Sequence, residues 1–320
     1  MDEGFGLASA PAVDALDPQA QAVVDEVSQL GIPEWSALDV ESARRIEDEV
    51  FSASDAPEVA RITDLAIPGP DDEIPIRVYH PAPAAHRPTL VFFHGGLWAM
   101  GTLDSIDGVC RRLAVRAECV VVSVDYRLAP EHPFPAGLED CVAAVEWVAE
   151  HGSSIGADTD SISVAGTSAG GNLAAATCLS VREFDGPAIA SQFLLYPMTD
   201  LSLEHPSLEE NSEGPLLTRR DVAWAHETYL ESPYHRHNPF AAPLRASSHT
   251  GLPPAYVVTA GFDPLRDEGA AYANTLSEAG VEVVHDHEPA MPHGFLSLTA
   301  DVDIADAALD RVAAAMKTGL

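Results

Sequence analysis

From Arg61 the chain runs through three short strand-like stretches and then alternates apolar, β-branched runs with stretches of helical spacing, and this pattern limits what it can fold into. The runs that read as strands are Ile62–Ile67, Ile74–Tyr79, Thr89–Phe93, Cys119–Val124, Ile162–Ala165, Gln192–Tyr196, Ala255–Thr259 and Val281–His285. Helices are predicted at about Gly108–Val115, Leu138–Glu150, the Ala-rich run that follows Gly171, Leu265–Ala279 and Ile304–Met316. Near-continuous apolar strands separated by helices call for an α/β fold with a mostly parallel sheet covered on both faces. Residues 200–250 break the pattern, with no clear strand and one predicted helix, Arg220–Leu230.

Two helices precede the first strand. Asp17-Pro18 reads as an N-cap with Pro at the first helical position, and Gly31 as the stop. Between them Ala20, Val23, Val27 and Leu30 recur at helical spacing. A second amphipathic helix is predicted over Glu41–Phe51, with Ala43, Ile46 and Val50 on one side. Two short helices bury little by themselves, so they are expected to pack on later elements, as a lid would. Residues 1–16 show no periodicity and are expected to be loose.

A chain of 320 residues can bury one large core, or one core and a smaller lid. No apolar run approaches the ~18 residues of a membrane span. Met1-Asp2-Glu3 is acidic, without the basic and apolar regions of an export signal, so a cytoplasmic location is expected. Cys110, Cys119, Cys141 and Cys178 form no Cys-x-x-Cys pair and are expected to be buried, reduced and structural. The 50 acidic and 17 basic residues give a formal charge of −33. Such a surface repels phosphate backbones and anionic membranes, which argues against nucleic acid or a membrane as partner. Lys317 is the sole lysine. A GC-rich genome favours Arg over Lys but does not create so large an acidic excess, which reads as the surface of a salt-adapted protein.

The chemistry gathers around Gly166-Thr167-Ser168-Ala169-Gly170-Gly171. A short apolar strand, Gly-x-Ser-x-Gly and then a helix is the context in which a serine is lifted clear of the backbone as a nucleophile. Its partners should be oxyanion donors, a base and a group that orients the base. Just after the strand Thr89–Phe93 stands His94-Gly95-Gly96-Leu97-Trp98, where the N–H groups of Gly95 and Gly96 can face a cavity beside that of Ala169. The orienting acid and the base should follow the serine in that order. Asp263, in Gly261-Phe262-Asp263-Pro264, lies at the end of a strand, although Asp before Pro is also a good N-cap. Asp267 and Glu268 read as charges complementing the dipole of the next helix. His293, in Pro292-His293-Gly294-Phe295, is the candidate base. His285-Asp286-His287 and His235-Arg236-His237 could each offer two metal ligands, but neither has a convincing third nearby.

Taken together, His94-Gly95-Gly96, Tyr126-Arg127-Leu128-Ala129-Pro130-Glu131, Pro133-Phe134-Pro135-Ala136, the Ser168 elbow, Asp263-Pro264-Leu265-Arg266-Asp267-Glu268 and His293-Gly294-Phe295 resemble the hormone-sensitive lipase family of α/β-hydrolases, in the branch of microbial carboxylesterases with a GTSAGG elbow. The match runs from about Arg61 to the C-terminus. The resemblance implies an α/β-hydrolase fold with a helical cap, residues 1–55 forming a cap segment, 56–320 the catalytic domain, and 200–250 contributing to the cap. It also implies hydrolysis of short-chain carboxylic esters by Ser168, His293 and Asp263, with Gly95, Gly96 and Ala169 as oxyanion donors, and no metal or cofactor. The segment Tyr126–Ala136 is expected to shape the loop below the elbow. Leu97 departs from the motif, whose third residue after the histidine is glycine, and Leu97 and Trp98 are expected to shape the adjoining substrate pocket. Family members with the extra glycine are associated with bulky alcohol groups. Two other readings stay open: an amide-cleaving hydrolase on the same triad, and a ligand receptor of the same fold, which would be expected to lack the histidine.

Overall fold

The computed structural model describes residues 13–51 and 56–320. Most of the stretch read as loose, and the boundary drawn at residue 55, lie outside these residues. The chain opens with α1 (Pro18–Gln29) and α2 (Val40–Phe51), and then forms β1 (Arg61–Pro68), β2 (Glu73–His80) and β3 (Arg87–Phe93). Next come α3 (Asp107–Ala117), β4 (Val120–Val124), α4 (Ala136–His151), β5 (Ala157–Thr167), α5 (Ala169–Glu183) and β6 (Gln192–Leu195). The remainder holds α6 (Pro206–Glu210), α7 (Arg219–Tyr229), β7 (Ala255–Phe262), α8 (Arg266–Glu278), β8 (Val283–Pro292) and α9 (Asp303–Thr318).

The eight strands form one sheet in the order β1-β2-β4-β3-β5-β6-β7-β8. β2 runs antiparallel to both of its neighbours, and every pair from β4 to β8 is parallel. Side chains alternate across the sheet. Leu90 and Phe92 join the core that includes residues of α3 and α9, while Val91 and Phe93 join the core that includes residues of α4, α5 and α8. This is the α/β-hydrolase architecture, with helices on both faces of the sheet. β3 is flanked by β4 on one side and β5 on the other, so the chain order reverses there. Crevices at the carboxyl ends of strands open at such a switch point. Phe93 pairs with Gly166 in this register, which brings the loop after β3 beside the elbow after β5.

The local readings at the N-terminus have a visible cause. Asp17 Oδ1 accepts hydrogen bonds from Gln19 N at 2.8 Å and Ala20 N at 3.3 Å, and the chain leaves α1 through Gly31 at φ +65°. α1 and α2 flank a short 3-10 turn, Trp35–Ala37, that reaches α7. Ser36 N donates to Asp221 Oδ1 at 2.8 Å, and Arg220 pairs with Glu34. Arg44 of α2 donates to the carbonyls of Ala99 at 2.8 Å and Ala129 at 3.0 Å and pairs with Glu131. α2 is thereby fixed to the loops after β3 and β4, and the turn before it to α7.

β8 differs from the predicted Val281–His285: it begins two residues later and continues to Pro292. It is an edge strand, and its ladder with β7 is made by backbone groups, from Ala255↔Val283 to Phe262↔Pro292, whatever the side chains. Its polar residues are served from elsewhere, Asp286 by Tyr256 and Arg311 and Glu288 by Arg311. All four cysteines are buried free thiols. Burial pushes the Cys119 thiol up to about 12.

Basic side chains are shared among acids: Arg77 reaches Asp64, Asp104 and Asp107, and Arg127 reaches Asp71, Glu139 and Asp140. With 50 acids and 17 bases such sharing cannot neutralise the surface. The Debye length is about 30 Å at ~0.01 M salt and about 3 Å at ~1 M, so added salt leaves only neighbouring charges in contact. Unfolding spreads like charges apart, so the folded state is expected to gain from screening, against a total stability of ~5–15 kcal/mol. The thermal midpoint, followed by circular dichroism from low to molar KCl, is expected to rise. A flat or falling midpoint would remove the case for salt adaptation.

Candidate active site

Ser168 stands between β5 and α5 at φ 54° and ψ −115°, a backbone conformation that L-residues avoid and that surrounding structure must hold in place. What holds it is close backbone packing. A Cβ added to Gly170 would lie 2.0 Å from the carbonyl oxygen of Phe93, so only glycine lets the start of α5 close onto the end of β3. Ser168 N donates to Leu195 O at 2.9 Å, which anchors the elbow to β6.

Asp263 follows β7 and His293 follows β8, both at carboxyl ends of strands. His293 Nε2 is 3.0 Å from Ser168 Oγ, and His293 Nδ1 is 2.8 Å from Asp263 Oδ2. Because a carboxylate can only accept, Nδ1–H donates to Asp263, and Nε2 is left to accept the serine proton. All three side chains are buried, Asp263 completely. The other oxygen, Oδ1, accepts from Leu265 N at 2.8 Å. The two readings of Asp263 are therefore compatible, since one oxygen orders the turn into α8 and the other faces the imidazole.

The loop after β3 runs along the far side of the serine. Gly95 and Gly96 line the same cavity as Ser168 and His293. Gly96 has φ +107°, and a Cβ there would lie 2.3 Å from Met100 O. Ala169 is fully buried at the first position of α5, where its N–H has no partner within the helix. His94 braces the loop: its Nδ1 is 2.7 Å from Gly95 O, and its ring stacks on Tyr126 at 4.3 Å. Burial pushes the His94 imidazole down to about 4, so it is neutral at physiological pH and Nδ1–H can donate to that carbonyl. The Tyr126 hydroxyl donates to His94 O at 2.9 Å, in keeping with the supporting part expected of Tyr126–Ala136.

Leu97 lines the cavity, but Trp98 does not. Two successive left-handed residues, Leu97 at φ 57° and Trp98 at φ 58°, reverse the chain. The indole is carried onto Tyr229, where the rings stack at 4.1 Å. Asp267 and Glu268 also part company. Asp267 accepts from Ser207 N and pairs with Arg266, whereas Glu268 is fully buried and accepts from Thr199 N at 2.6 Å. Burial pushes the Glu268 carboxyl well above its usual range. Its spacing from Tyr272 and Leu276, both buried, was the available signal that it lies on the inner face of α8. Tyr196, edge-on to His293 at 5.0 Å, and Glu47, in the cavity wall, were missed altogether.

His285, His287 and His235 each have a local neighbour. Thr259 Oγ1 is 2.8 Å from His285 Nε2 and 2.9 Å from His287 Nδ1, and the His235 ring lies edge-on to Phe134 at 5.5 Å. Among the described residues no three His, Cys, Asp or Glu side chains are grouped to hold a metal ion, and no helix is long and apolar enough to cross a membrane.

Comparison with known proteins identifies the family. A family model described as alpha/beta hydrolase fold matches residues 90–297. Esterase LipI of Mycobacterium tuberculosis is 42% identical over 312 residues, covering 96% of each chain. An ethyl acetate hydrolase of Pseudomonas putida is 35% identical over 293 residues, 89% of this chain and 92% of its own. The solved structure of an ester hydrolase from the metagenome of Lake Arreo, complexed with a derivative of bipyridine phosphonate, superposes with a TM-score of 0.90 at 39% identity, covering 95% of this chain and 98% of that one. With a family model matched over well over half of its length and relatives covered almost end to end, the chain belongs to the hormone-sensitive lipase family of α/β-hydrolases.

Proposed function

We propose that this protein is a serine carboxylesterase that hydrolyses short-chain carboxylic esters through an acyl-enzyme. The observation that carries this reading is His293 placed between Ser168 and Asp263 in a cavity walled on one side by Gly95 and Gly96. Ser168 Oγ attacks the ester carbonyl as its proton passes to His293 Nε2. Asp263 holds the imidazole tautomer and stabilises the imidazolium that forms. The N–H groups of Gly95, Gly96 and Ala169 bind the developing oxyanion. Collapse breaks the carbonyl–alkoxy bond, and the leaving alcohol takes the proton from His293. Water, deprotonated by His293 in its turn, attacks the acyl-serine and releases the acid. These residues complete the cycle without a cofactor or metal.

Substrate access in this reading belongs to a cap formed by residues 1–55 with part of 200–250. Its support is that Trp35 and Leu216 line the cavity, and that Ser36 and Glu34 are tied to α7. The cavity is small, about 110 Å³, which favours acyl chains of roughly two to six carbons. A panel of aryl esters from acetate to long acyl chains, with Ser168→Ala as control, tests both claims. Activity is expected to peak at short chains and to vanish in the variant. Faster turnover of emulsified long-chain triglyceride than of dissolved butyrate ester would overturn the chain-length claim. The four buried free thiols support a reducing compartment, the cytoplasm.

Leu97 gives a second test. It occupies cavity wall at a position where glycine would leave space and would accept the positive φ without strain. Leu97→Gly is expected to raise kcat/KM for tert-butyl relative to n-butyl acetate by about tenfold or more. An unchanged ratio would mean that Leu97 does not bound the space for the alcohol group.

A further inference from the structure

Glu47 has no part in the chemistry above, yet it stands in the wall of the same cavity. Its side chain projects from α2 with 8% exposure and lines the space together with Ser168 and His293. Much of the surrounding wall is apolar, contributed by Trp35, Leu97, Met100, Ile106 and Leu217. The Ser105 hydroxyl and the Gly101 amide face the carboxyl. Oε2, however, is buried with no hydrogen-bond partner among the described residues.

Nearby groups are committed elsewhere. Arg44, one turn earlier on α2, is held by Ala99 O, Ala129 O and Glu131. Asp48 accepts from the Thr102 hydroxyl at 2.7 Å. A buried carboxyl oxygen without a partner is unfavourable, and an aliphatic side chain would suit this wall better. Burial pushes the Glu47 carboxyl up to about 7, so acid and carboxylate are both populated near neutrality. In either form an oxygen is available to accept a hydrogen bond from whatever enters the cavity.

We propose that Glu47 is a specificity-determining residue that selects esters carrying a hydrogen-bond donor, a hydroxyl or a protonated amine, close to the scissile carbonyl. The inference rests on the esterase reading and narrows its substrate class. The chain's charge of −33 works in the same direction for the amine, because a negative field concentrates cationic substrates around the molecule.

Isosteric substrate pairs separate the donor from its shape. On the alcohol side, 2-(dimethylamino)ethyl butyrate is compared with 3-methylbutyl butyrate. On the acyl side, ethyl 3-hydroxybutyrate is compared with ethyl 3-methylbutyrate. The readout is the ratio of kcat/KM within each pair near neutral pH, for the wild type, Glu47→Gln and Glu47→Leu. The wild type is expected to favour the donor-bearing member of at least one pair by about tenfold or more. Glu47→Leu should abolish or invert that preference. Glu47→Gln, nearly the same shape and able to fold where Leu fails, should lose a preference for the amine and keep part of one for the hydroxyl. Ratios near one for both pairs in the wild type, or ratios that persist in both variants, would overturn the proposal. Failure of the esterase reading looks different, because no ester in the set would then be turned over in a Ser168-dependent way.

Discussion

Replacing Ser168 or His293 by alanine is expected to lower kcat by about a million-fold, since members of a serine triad act as a unit and losing either removes the shared step. Ser168→Ala deletes the attacking oxygen. His293→Ala leaves that oxygen without the base that lies 3.0 Å away. Neither change should disturb the fold, because the elbow is held by backbone contacts such as Ser168 N to Leu195 O. Circular dichroism and the thermal midpoint of each variant check this. His287→Ala is the informative control. His287 sits on β8 against Thr259 rather than facing the serine, so its loss should leave turnover close to wild type. Substantial activity in His293→Ala together with its loss in His287→Ala would show that the base is misassigned.

Asp263→Asn is expected to cost about ten-thousand-fold in kcat with little loss of stability. The asparagine side chain can keep its oxygen on Leu265 N and so preserve the turn into α8. Its NH₂ then faces His293 Nδ1, where the carboxylate accepts at 2.8 Å. That forces the proton of the neutral imidazole onto Nε2, which can no longer take one from Ser168. If Asp263 served only as a helix cap, substitution would cost about 1 kcal/mol of stability and leave turnover nearly intact. Measuring kcat and the midpoint on the same sample separates the two roles. Retained turnover would move the orienting acid elsewhere.

Local chemistry made much of the site legible. Ser168, Gly95 and Gly96 could be read because an elbow and a glycine loop are short, contiguous devices, specified by residues next to one another. Asp263 could be placed because it comes just after the apolar run Ala255–Thr259, and His293 because the base should follow the acid and stands in a loop beside a glycine. The α/β class followed from the same runs. Where side chains go after leaving the backbone was not legible in this way. Trp98 is next to Leu97 in sequence, yet it packs on Tyr229, more than a hundred residues away, and leaves the cavity to its neighbour.

Glu268 reads as a charge complementing the helix dipole because it stands in the first turn of α8. Burial against the Thr199 backbone is a property of how β6 and α8 meet. Glu47 falls at helical spacing from Ala43 and Val50, on the inward side of α2, but spacing alone does not say what that side faces. Only the docking of α2 over the loop after β3 turns that side toward the active-site cavity, where desolvation changes what a carboxyl can do. By itself the sequence determined the strand–helix order and the residues able to do chemistry, because both depend on near neighbours along the chain. The tertiary structure decided which polar groups lost their water, since burial depends on contacts between residues distant in sequence.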